Sequence, residues 1–469
     1  MSFFHGVETF NEATGTTPVN QVDTAVIGLV GIFPKGAVNT LKLCNSIQDT
    51  AQFGDINYPM QGNESLKRIY KEDPGAKVLV VNVYDPSTTS DEITEEAITI
   101  TNGKAQLDNV VLTEAGDVVV EGGSPWATFV EGTDYTVSDL GVVTIIPSGD
   151  ISEGDTVYVS YFTPDISSLA AADFVGTTTP ALTGFKMFQE AYDTFGLAPK
   201  IFACPFYSSL DAVANEMETQ SDAFRARCVI DEEEGDTRTE LIANRTTAGK
   251  STASTSTRVI PCGPWQKDYN YLDQLEAYPY SMFLVGAMSA NARNNGYWES
   301  PSNKVLKGVV APEYPMLGTG PNDPTADVQL LNAAGITSVV KVGGSYRTYG
   351  NRSAAYPTST APENFIAIQW VDDIVSDSIE NAMIQFIDKP LVQATIDAIL
   401  GTANGFIATL VQRGALLLGS EVYYDPADNS AVELAAGHVT FRRNYASPTP
   451  AERITFISTF DINLLAQLS

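Results

Sequence analysis

The feature that most constrains the fold is a pair of short, almost wholly apolar runs on either side of a helix-forming stretch. Residues 25–33 and 77–84 have the length of buried strands, and residues 65–71 between them favour a helix. Continuous apolar strands are typical of sheets covered on both faces, and a strand–helix–strand order favours a parallel pair. The sequence therefore predicts a βαβ unit in a core α/β segment over residues 25–90.

The same alternation returns from residue 166 and predicts an α/β domain over 166–325. Its mostly parallel sheet is expected to have flanking helices on both faces. The predicted helices are 184–195, 210–224 and 237–246, and the predicted strands are 200–204, 225–230, 257–262 and 281–286.

Residues 91–165 have a different character and predict an inserted all-β domain, an Ig-like sandwich. Short alternating segments are separated by Gly, Asp and Pro turns, as in small sandwiches. The insert holds fifteen acidic residues and one base, Lys104, a net charge of −14 out of −30 for the chain. So acidic a module is expected to face solvent. Its predicted strands are 109–113, 117–121, 134–137, 141–146 and 156–162.

Residues 326–450 predict a C-terminal α+β domain. A hairpin is expected over 336–350, turning at Gly343-Gly344. Pro390 and Gly414 bracket a long apolar-periodic stretch, as expected for the start and the end of a helix. The predicted helices are 371–387 and 391–412, followed by strands at 415–424 and 438–445.

The two ends of the chain predict extended arms, residues 1–24 and 451–469. The first is polar and rich in Thr and Asn. The second follows Pro448 and Pro450, and its apolar residues alternate with polar ones as in a strand with one buried face. Such a lone strand either folds back onto its own sheet or joins the exposed edge of a partner. The alternating apolar residues are Ile454, Phe456, Phe460 and Ile462.

Charge and composition disfavour several classes of function. There are 27 basic and 57 acidic residues. Nucleic-acid binding needs cations that neutralise phosphates, so no nucleic-acid partner is expected. No apolar run approaches the ~20 residues of a membrane helix, and the N-terminus lacks the basic and apolar regions of a signal peptide. We therefore expect synthesis in a cytoplasm and no membrane insertion.

The residues that carry most enzyme chemistry are scarce. The two histidines are His5 and His438, far apart in sequence. Phosphate-binding glycine loops and spaced Cys/His metal ligands are missing from the sequence. The acidic run 231–236 favours a solvated turn over a cation site, because it lacks the spaced ligands of a calcium loop. The sequence thus predicts no catalytic residues, no metal and no cofactor, and a protein that is not an enzyme.

The four cysteines leave two alternatives open. Cys204, Cys228 and Cys262 each lie at or near the end of an apolar run, and Cys44 lies apart. Free cysteines are among the most buried residues, so buried thiols are one reading. Candidate disulfides, within or between subunits, are the other, if the assembled particle leaves a reducing cytoplasm.

Residues along nearly the whole chain resemble the tail sheath proteins of contractile bacteriophages, in the branch of the temperate enterobacterial myophages. Each match is weak alone, and the order and spacing make the set specific. The acidic insert is the departure, because minimal members of the family lack it. The matching residues are His5-Gly-Val, Thr24-Ala-Val-Ile-Gly-Leu-Val, Lys77-Val-Leu-Val-Val-Asn-Val, Gly196-Leu-Ala-Pro-Lys-Ile-Phe-Ala-Cys-Pro, Ser300-Pro-Ser-Asn, Gly335-Ile-Thr-Ser-Val-Val, Tyr349-Gly-Asn-Arg, Asp388-Lys-Pro and the spaced Pro448 and Pro450.

The resemblance implies a mechanical function. Subunits would stack as hexameric rings around a tail tube in an extended metastable state and contract to drive the tube through a cell envelope. Arms from parts of 8–24 and 453–464 would add strands to neighbouring subunits, and the tube would contact 372–413. The implied donor residues are Val19, Val22, Ile454, Phe456, Phe460 and Ile462, and the receiving residues are Leu417, Val422, Tyr424, Val439 and Phe441.

The implied partners are further copies of the chain, the tail tube protein, and baseplate and tail terminator proteins. The implied location is the virion tail, with assembly in the bacterial host cytoplasm. Two other classes stay open on the sequence: a static lattice or shell protein, and, less favoured, an α/β enzyme with a β accessory domain.

Overall fold

A computed structural model describes residues 18–123, 126–320 and 322–462. The first apolar runs form strands β1 (Ile27–Gly31) and β3 (Val78–Asn82), separated by strand β2 (Leu41–Cys44) and helix α1 (Gln61–Glu72). β1 and β3 pair in parallel over five residues, and β2 pairs antiparallel with β3. The predicted strand–helix–strand unit is therefore present, with one additional edge strand.

The insert forms two small sheets with a core of their own. One is four-stranded in the order β4-β10-β6-β7, and the other is three-stranded in the order β5-β9-β8. The strand expected at 109–113 is wrong, because this stretch forms a loop that buries Val111 and Leu112. The strands are β4 (Ser90–Thr99), β5 (Lys104–Gln106), β6 (Val119–Gly122), β7 (Ala127–Thr128), β8 (Tyr135–Val137), β9 (Val142–Ile145) and β10 (Thr156–Pro164).

The chain after the insert completes the sheet that β1–β3 began. Three further strands extend it in the order β13-β12-β11-β1-β3-β2, and every neighbouring pair except β2–β3 is parallel. The mixed α/β class predicted from the sequence is thus confirmed. The elements are α2 (Ala171–Val175), α3 (Ala191–Phe195), β11 (Ile201–Ala203), α4 (Asp211–Ala223), β12 (Arg227–Asp231), α5 (Arg238–Asn244) and β13 (Val259–Cys262).

Two large apolar cores lie on the two faces of this sheet. One contains α1 and the buried helix α6 (Ser281–Asn294), and the other contains α4. The strand expected at 281–286 is wrong, because a short apolar run does not distinguish a buried strand from a buried helix. A separate three-stranded sheet, in the order β15-β14-β16, flanks this helix. Its strands are β14 (Gln266–Tyr269), β15 (Leu275–Tyr278) and β16 (Ala311–Pro312).

The C-terminal part begins with helix α7 (Asp327–Ala333) and a hairpin of β17 (Ser338–Val342) and β18 (Ser345–Tyr349). Gly343 and Gly344 turn it with φ of 59° and 87°. Two positive φ values in a two-residue loop match the twist of the strands and favour glycine. Helices α8 (Ile366–Met383) and α9 (Gln393–Arg413), strand β19 (Glu421–Tyr424), helix α10 (Ala431–Ala435) and strand β20 (Phe441–Asn444) follow.

Helix α9 corrects the expectation that no apolar stretch reaches the length of a membrane helix. Within the described residues it alone has the length and composition of a membrane-crossing helix, with a mean hydropathy of 1.4 and 39% of that window buried. The apolar residues are interrupted by small polar ones, so no uninterrupted run marks it in the sequence. Its apolar face, including Ala403, Phe406, Ile407 and Leu410, packs into the core beside α8.

Burial bears on two further expectations. All four cysteines are free and buried in the single chain, which is the buried-thiol alternative, and disulfides between subunits stay a prediction. Burial raises the pKa of every one of these thiols, to about 12 for Cys44 and Cys228. The start of the acidic run 231–236 is also buried rather than solvated: Asp231 accepts hydrogen bonds from Ser208 and Ser281.

Candidate inter-subunit surfaces

The C-terminal arm, described here over residues 451–462, exposes large apolar side chains along its length. Phe456 is 88% exposed and Ile457 is 92% exposed. No strand is assigned between 451 and 461. Over residues 451–462 the arm does not join a sheet formed by the described residues of its own chain, although apolar groups of this size are normally buried. The exposed residues are Ile454, Phe456, Ile457, Phe460 and Ile462, four of which the alternation predicts.

An ion pair fixes the base of this arm. Arg352 donates from Nη2 to Glu452 Oε2 at 2.7 Å and from Nε to Oε1 at 3.2 Å. The same guanidinium lies 3.6 Å from the centre of the Phe365 ring. A two-point guanidinium–carboxylate pair sets direction as well as position. The arm therefore leaves the subunit from a defined point directly after Pro450.

The described part of the N-terminal arm lies on its own subunit. Val19 and Val22 are half-buried against the core, and the Val22 N–H donates to Ser378 Oγ at 3.2 Å. Arg413 donates to Gln21 Oε1 at 3.2 Å. The segment thus touches both α8 and α9, and here the two valines predicted as donors pack against their own chain. Predicted donor positions 8–17 lie outside the described residues.

The strands predicted to receive an arm form a short two-stranded hairpin. β19 and β20 pair antiparallel over four residues, with Val422 opposite Arg443. Val422 is buried, and the Tyr424 and Phe441 rings meet edge to face at 6.0 Å. Both strands are shorter than predicted.

Two of the five predicted receiving residues lie outside the strands. Leu417, in the turn after α9, is 48% exposed, and Val439 precedes β20. Gly414 ends α9 in a left-handed cap and Gly419 also has a positive φ, so the chain turns where a longer strand was expected. The assignment of Leu417 and Val439 to receiving strands is therefore corrected.

Helix α8 is fastened to the large sheet by buried ion pairs. Arg227 and Arg258 donate to opposite oxygens of Asp373, at 2.8 and 2.6 Å, and Arg227 is fully buried. Burial lowers the pKa of Arg227 to about 10, although Asp373 raises it. One turn further along α8, Lys200 and Arg225 both contact Asp377. These cations come from the amino ends of β11, β12 and β13, so the ion pairs hold α8 against the sheet.

The sequence analysis did not predict these ion pairs between α8 and the sheet, which we call the α8 clamp. The sequence nevertheless contains a signal for them. Asp373, Asp377 and Glu380 recur at helical spacing, and cations lie at the starts of three predicted strands. These cations are Lys200, Arg225, Arg227 and Arg258. An acidic helix face opposite cationic strand starts is expected to pair. In the described residues, no group of three or more His, Cys, Asp or Glu side chains is placed to hold a metal ion.

Several solved structures share this overall fold. The chain superimposes with a TM-score of 0.62 and 15% identity on the helical sheath of the anti-feeding prophage in its contracted state, covering 98% of this chain and 100% of that one. It matches the sheath complex of the extracellular contractile injection system PVC, also contracted, with a TM-score of 0.60, 13% identity and 99% of both chains. The fold is that of a contractile sheath subunit.

Sequence relatives give the family. The chain is 36% identical over 464 residues to the tail sheath protein of Burkholderia phage BcepMu, covering 97% of this chain and 96% of that one. A putative prophage major tail sheath protein of Pseudomonas aeruginosa is 27% identical over 58% of this chain and 68% of its own length. No protein-family model matches. The chain belongs to the tail sheath proteins, structural components of the virion tail.

Proposed function

We propose that the chain polymerises as stacked hexameric rings around the tail tube in an extended metastable state, and contracts to drive the tube through the host envelope. The observation that carries this is the exposed apolar arm 454–462, which the described residues of its own chain leave uncovered. Two similar solved chains are contracted sheaths, and a third, with a TM-score of 0.59 and 14% identity, belongs to an anti-feeding prophage baseplate symmetrised six-fold.

The arms are proposed to link subunits by adding β-strands to the β19–β20 hairpin of neighbours. Five large side chains of the C-terminal arm are exposed. Four of them alternate on one face; burying each contributes about 1.5–3 kcal/mol, so one arm contributes roughly 6–12 kcal/mol before the cost of ordering it. A contact of this size keeps two subunits joined while their cores rotate.

The remaining segments are proposed to form the rigid body, the outer surface and the tube contact of the subunit. The α/β segments 25–90 and 166–325 with the clamped helix α8 form the rigid body. The insert 91–165, an Ig-like sandwich, faces outward, because a net charge of −14 would repel its copies at a tightly packed inner radius. The tube contact lies within 372–413, where Ile384, Ile387 and Val392 are exposed between α8 and α9.

The proposed partners are further copies of the chain, the tail tube protein, and baseplate and terminator proteins, with assembly in the host cytoplasm. Relatives named as tail sheath proteins are consistent with a chain that is not an enzyme. No role for nucleic acid or membrane insertion is proposed.

Electron microscopy of the purified chain tests the proposal. We expect long tubes of sheath-like diameter, and a uniform small oligomer would contradict polymerisation. Deleting 451–469 should abolish tubes and leave the circular dichroism and unfolding midpoint of the remaining chain unchanged. A matched control deletes 124–125 in the insert, distant in sequence from the arm, and should still form tubes.

A further inference from the structure

One face of the four-stranded sheet in the insert is almost free of charge, although the insert as a whole carries a net charge of −14. Val157, Val159 and Tyr161 of β10 lie in the core of the insert, so alternation directs the β10 residues between them to the opposite face. The register places the neighbouring strands' outward residues beside them. The polar members of the three central rows of this face are Thr99, Thr156, Tyr158, Glu121, Thr128 and Ser160, of which Glu121 alone is charged.

An exposed aromatic pair lies on this face. Trp126 is 55% exposed, and its ring centre lies 4.9 Å from that of Tyr158, with the two ring planes tilted by 37°. Tyr158 is half-buried, so it supports one side of the indole from the sheet. Large apolar side chains that stay exposed together on a folded domain are typical of binding surfaces. The Trp126–Tyr158 pair therefore distinguishes this face from an ordinary solvated one.

The charge of the insert limits the kind of ligand that fits here. A net charge of −14 repels anionic ligands, including nucleic acids and phosphate-rich polymers. It also repels the insert of a second copy. A basic peptide is best held by several carboxylates at once, whereas Glu121 is the one carboxylate in the central rows. These charges favour an uncharged ligand.

Sugars match the groups that this face presents. One face of a pyranose ring carries C–H groups, whose slightly positive hydrogens are attracted to the negative face of an aromatic ring. The hydroxyls at the rim of the sugar need hydrogen-bond partners. Thr128 donates from Oγ1 to Glu121 Oε1 at 2.8 Å and so orients a carboxylate that has further lone pairs to accept them. The hydroxyl oxygens of Thr99 and Thr156 lie 3.3 Å apart in the next row.

We propose that this face binds neutral glycans, with Trp126 as the platform on which a sugar ring stacks and Glu121 as an acceptor for its hydroxyls. The site lies within the insert and needs no second subunit, so it does not depend on polymerisation. One consequence does rest on the proposed sheath. Repeated on every subunit, weak sites of this kind bind a glycan-coated surface jointly, with an avidity well above the affinity of one site.

Titration with polysaccharides tests the site, at a concentration where sedimentation shows unassembled chain. The neutral probes are laminarin, dextran, mannan, galactan and chitin oligosaccharides, and dextran sulfate and polylysine are the charged ones. Quenching of tryptophan fluorescence by neutral acrylamide reports mainly on Trp126, because Trp265, Trp298 and Trp370 are buried or half-buried. We expect at least one neutral glycan to shield Trp126 from acrylamide and to retard the chain in a native gel, and dextran sulfate to do neither.

Matched aromatic substitutions locate the site. Trp126→Ala should weaken binding of that glycan about tenfold or more, the loss typical of a central aromatic contact, and Trp126→Phe should restore part of it. The control is Tyr192→Ala, which removes a ring of similar exposure, 59%, from helix α3 and should not change glycan binding. Both alanine variants should keep the wild-type unfolding midpoint, because both rings are exposed. Glycan binding that survives Trp126→Ala would contradict the assignment of the site.

Three other results would overturn the proposal. If no neutral probe shields Trp126 or retards the chain, glycan binding is refuted. Binding of polylysine alone, lost in Trp126→Ala, would identify the occupant as a basic protein segment. Self-association that Trp126→Ala abolishes, without glycan binding, would identify it as a second copy. None of these results bears on tube formation, so the proposed polymerisation stands or fails separately.

Discussion

Replacing Asp373 by alanine should destabilise the folded subunit more than any exposed charge substitution on the same helix. The Asp373 carboxylate lies between Arg227 and Arg258, and the side chains of Asp373 and Arg227 are 2% and 1% exposed. Removing one partner of a buried pair leaves an uncompensated charge, at a cost of about 3–5 kcal/mol. Arg227 also lies 5.3 Å from the Trp370 ring, so the loss occurs beside a buried fluorophore.

The matched control is Glu380→Ala on the next turns of α8. Glu380 pairs with Arg225 at 2.7 Å, but its side chain is 60% exposed. Exposed ion pairs contribute about 0–1 kcal/mol, because water and salt screen them. The two variants therefore remove the same kind of partner in different surroundings.

Urea unfolding followed by tryptophan fluorescence measures both variants, at a concentration where sedimentation shows unassembled chain. We expect Asp373→Ala to lower the unfolding free energy by about 3–5 kcal/mol and Glu380→Ala by less than about 1 kcal/mol. Equal, small losses from both would refute the clamp between α8 and the sheet. Asp373→Asn should fall between them, since it keeps the shape and loses the charge.

Three further results are expected. Burial raises the pKa of Glu232 to about 7, with Asn244 opposing the shift. Because the folded pKa lies above the unfolded value, the stability that this group contributes is present at low pH and is lost as pH rises through about 7. Glu232→Gln should flatten that part of the pH dependence in unfolding measured from pH 5 to 8. The four buried thiols should not react with a thiol reagent until urea unfolds the chain, and rapid reaction of the native chain would contradict their burial. Phe456→Ser with Phe460→Ser should abolish tubes and leave the unfolding midpoint unchanged, because both rings are exposed in the subunit.

Patterns of local chemistry predicted much of the fold. The apolar runs gave strands β1 and β3 because strands buried on both faces tolerate few polar residues. The two glycines of the β17–β18 turn marked its position because both need positive φ. Proline and glycine likewise bracketed α9 to within a few residues.

The misses have physical causes as well. Residues 281–286 are apolar on all sides because α6 is buried all round, which removes the periodicity that separates a helix from a strand. The packing of Val19 and Val22 on α8 and α9 is a long-range contact, and local sequence carries no signal for it. The same holds for Asn404 on α9, whose side-chain amide exchanges two hydrogen bonds with the backbone of Val422 on β19.

The central claim is that neighbouring subunits stay joined through the C-terminal arm while their bodies move. A helical reconstruction of assembled tubes tests it most directly, in both extended and contracted states. We expect density for residues 454–462 as a strand along the β19–β20 hairpin of another copy, unchanged between the two states, while the α/β bodies rotate. An arm that packs on its own subunit, or that leaves its neighbour on contraction, would contradict it.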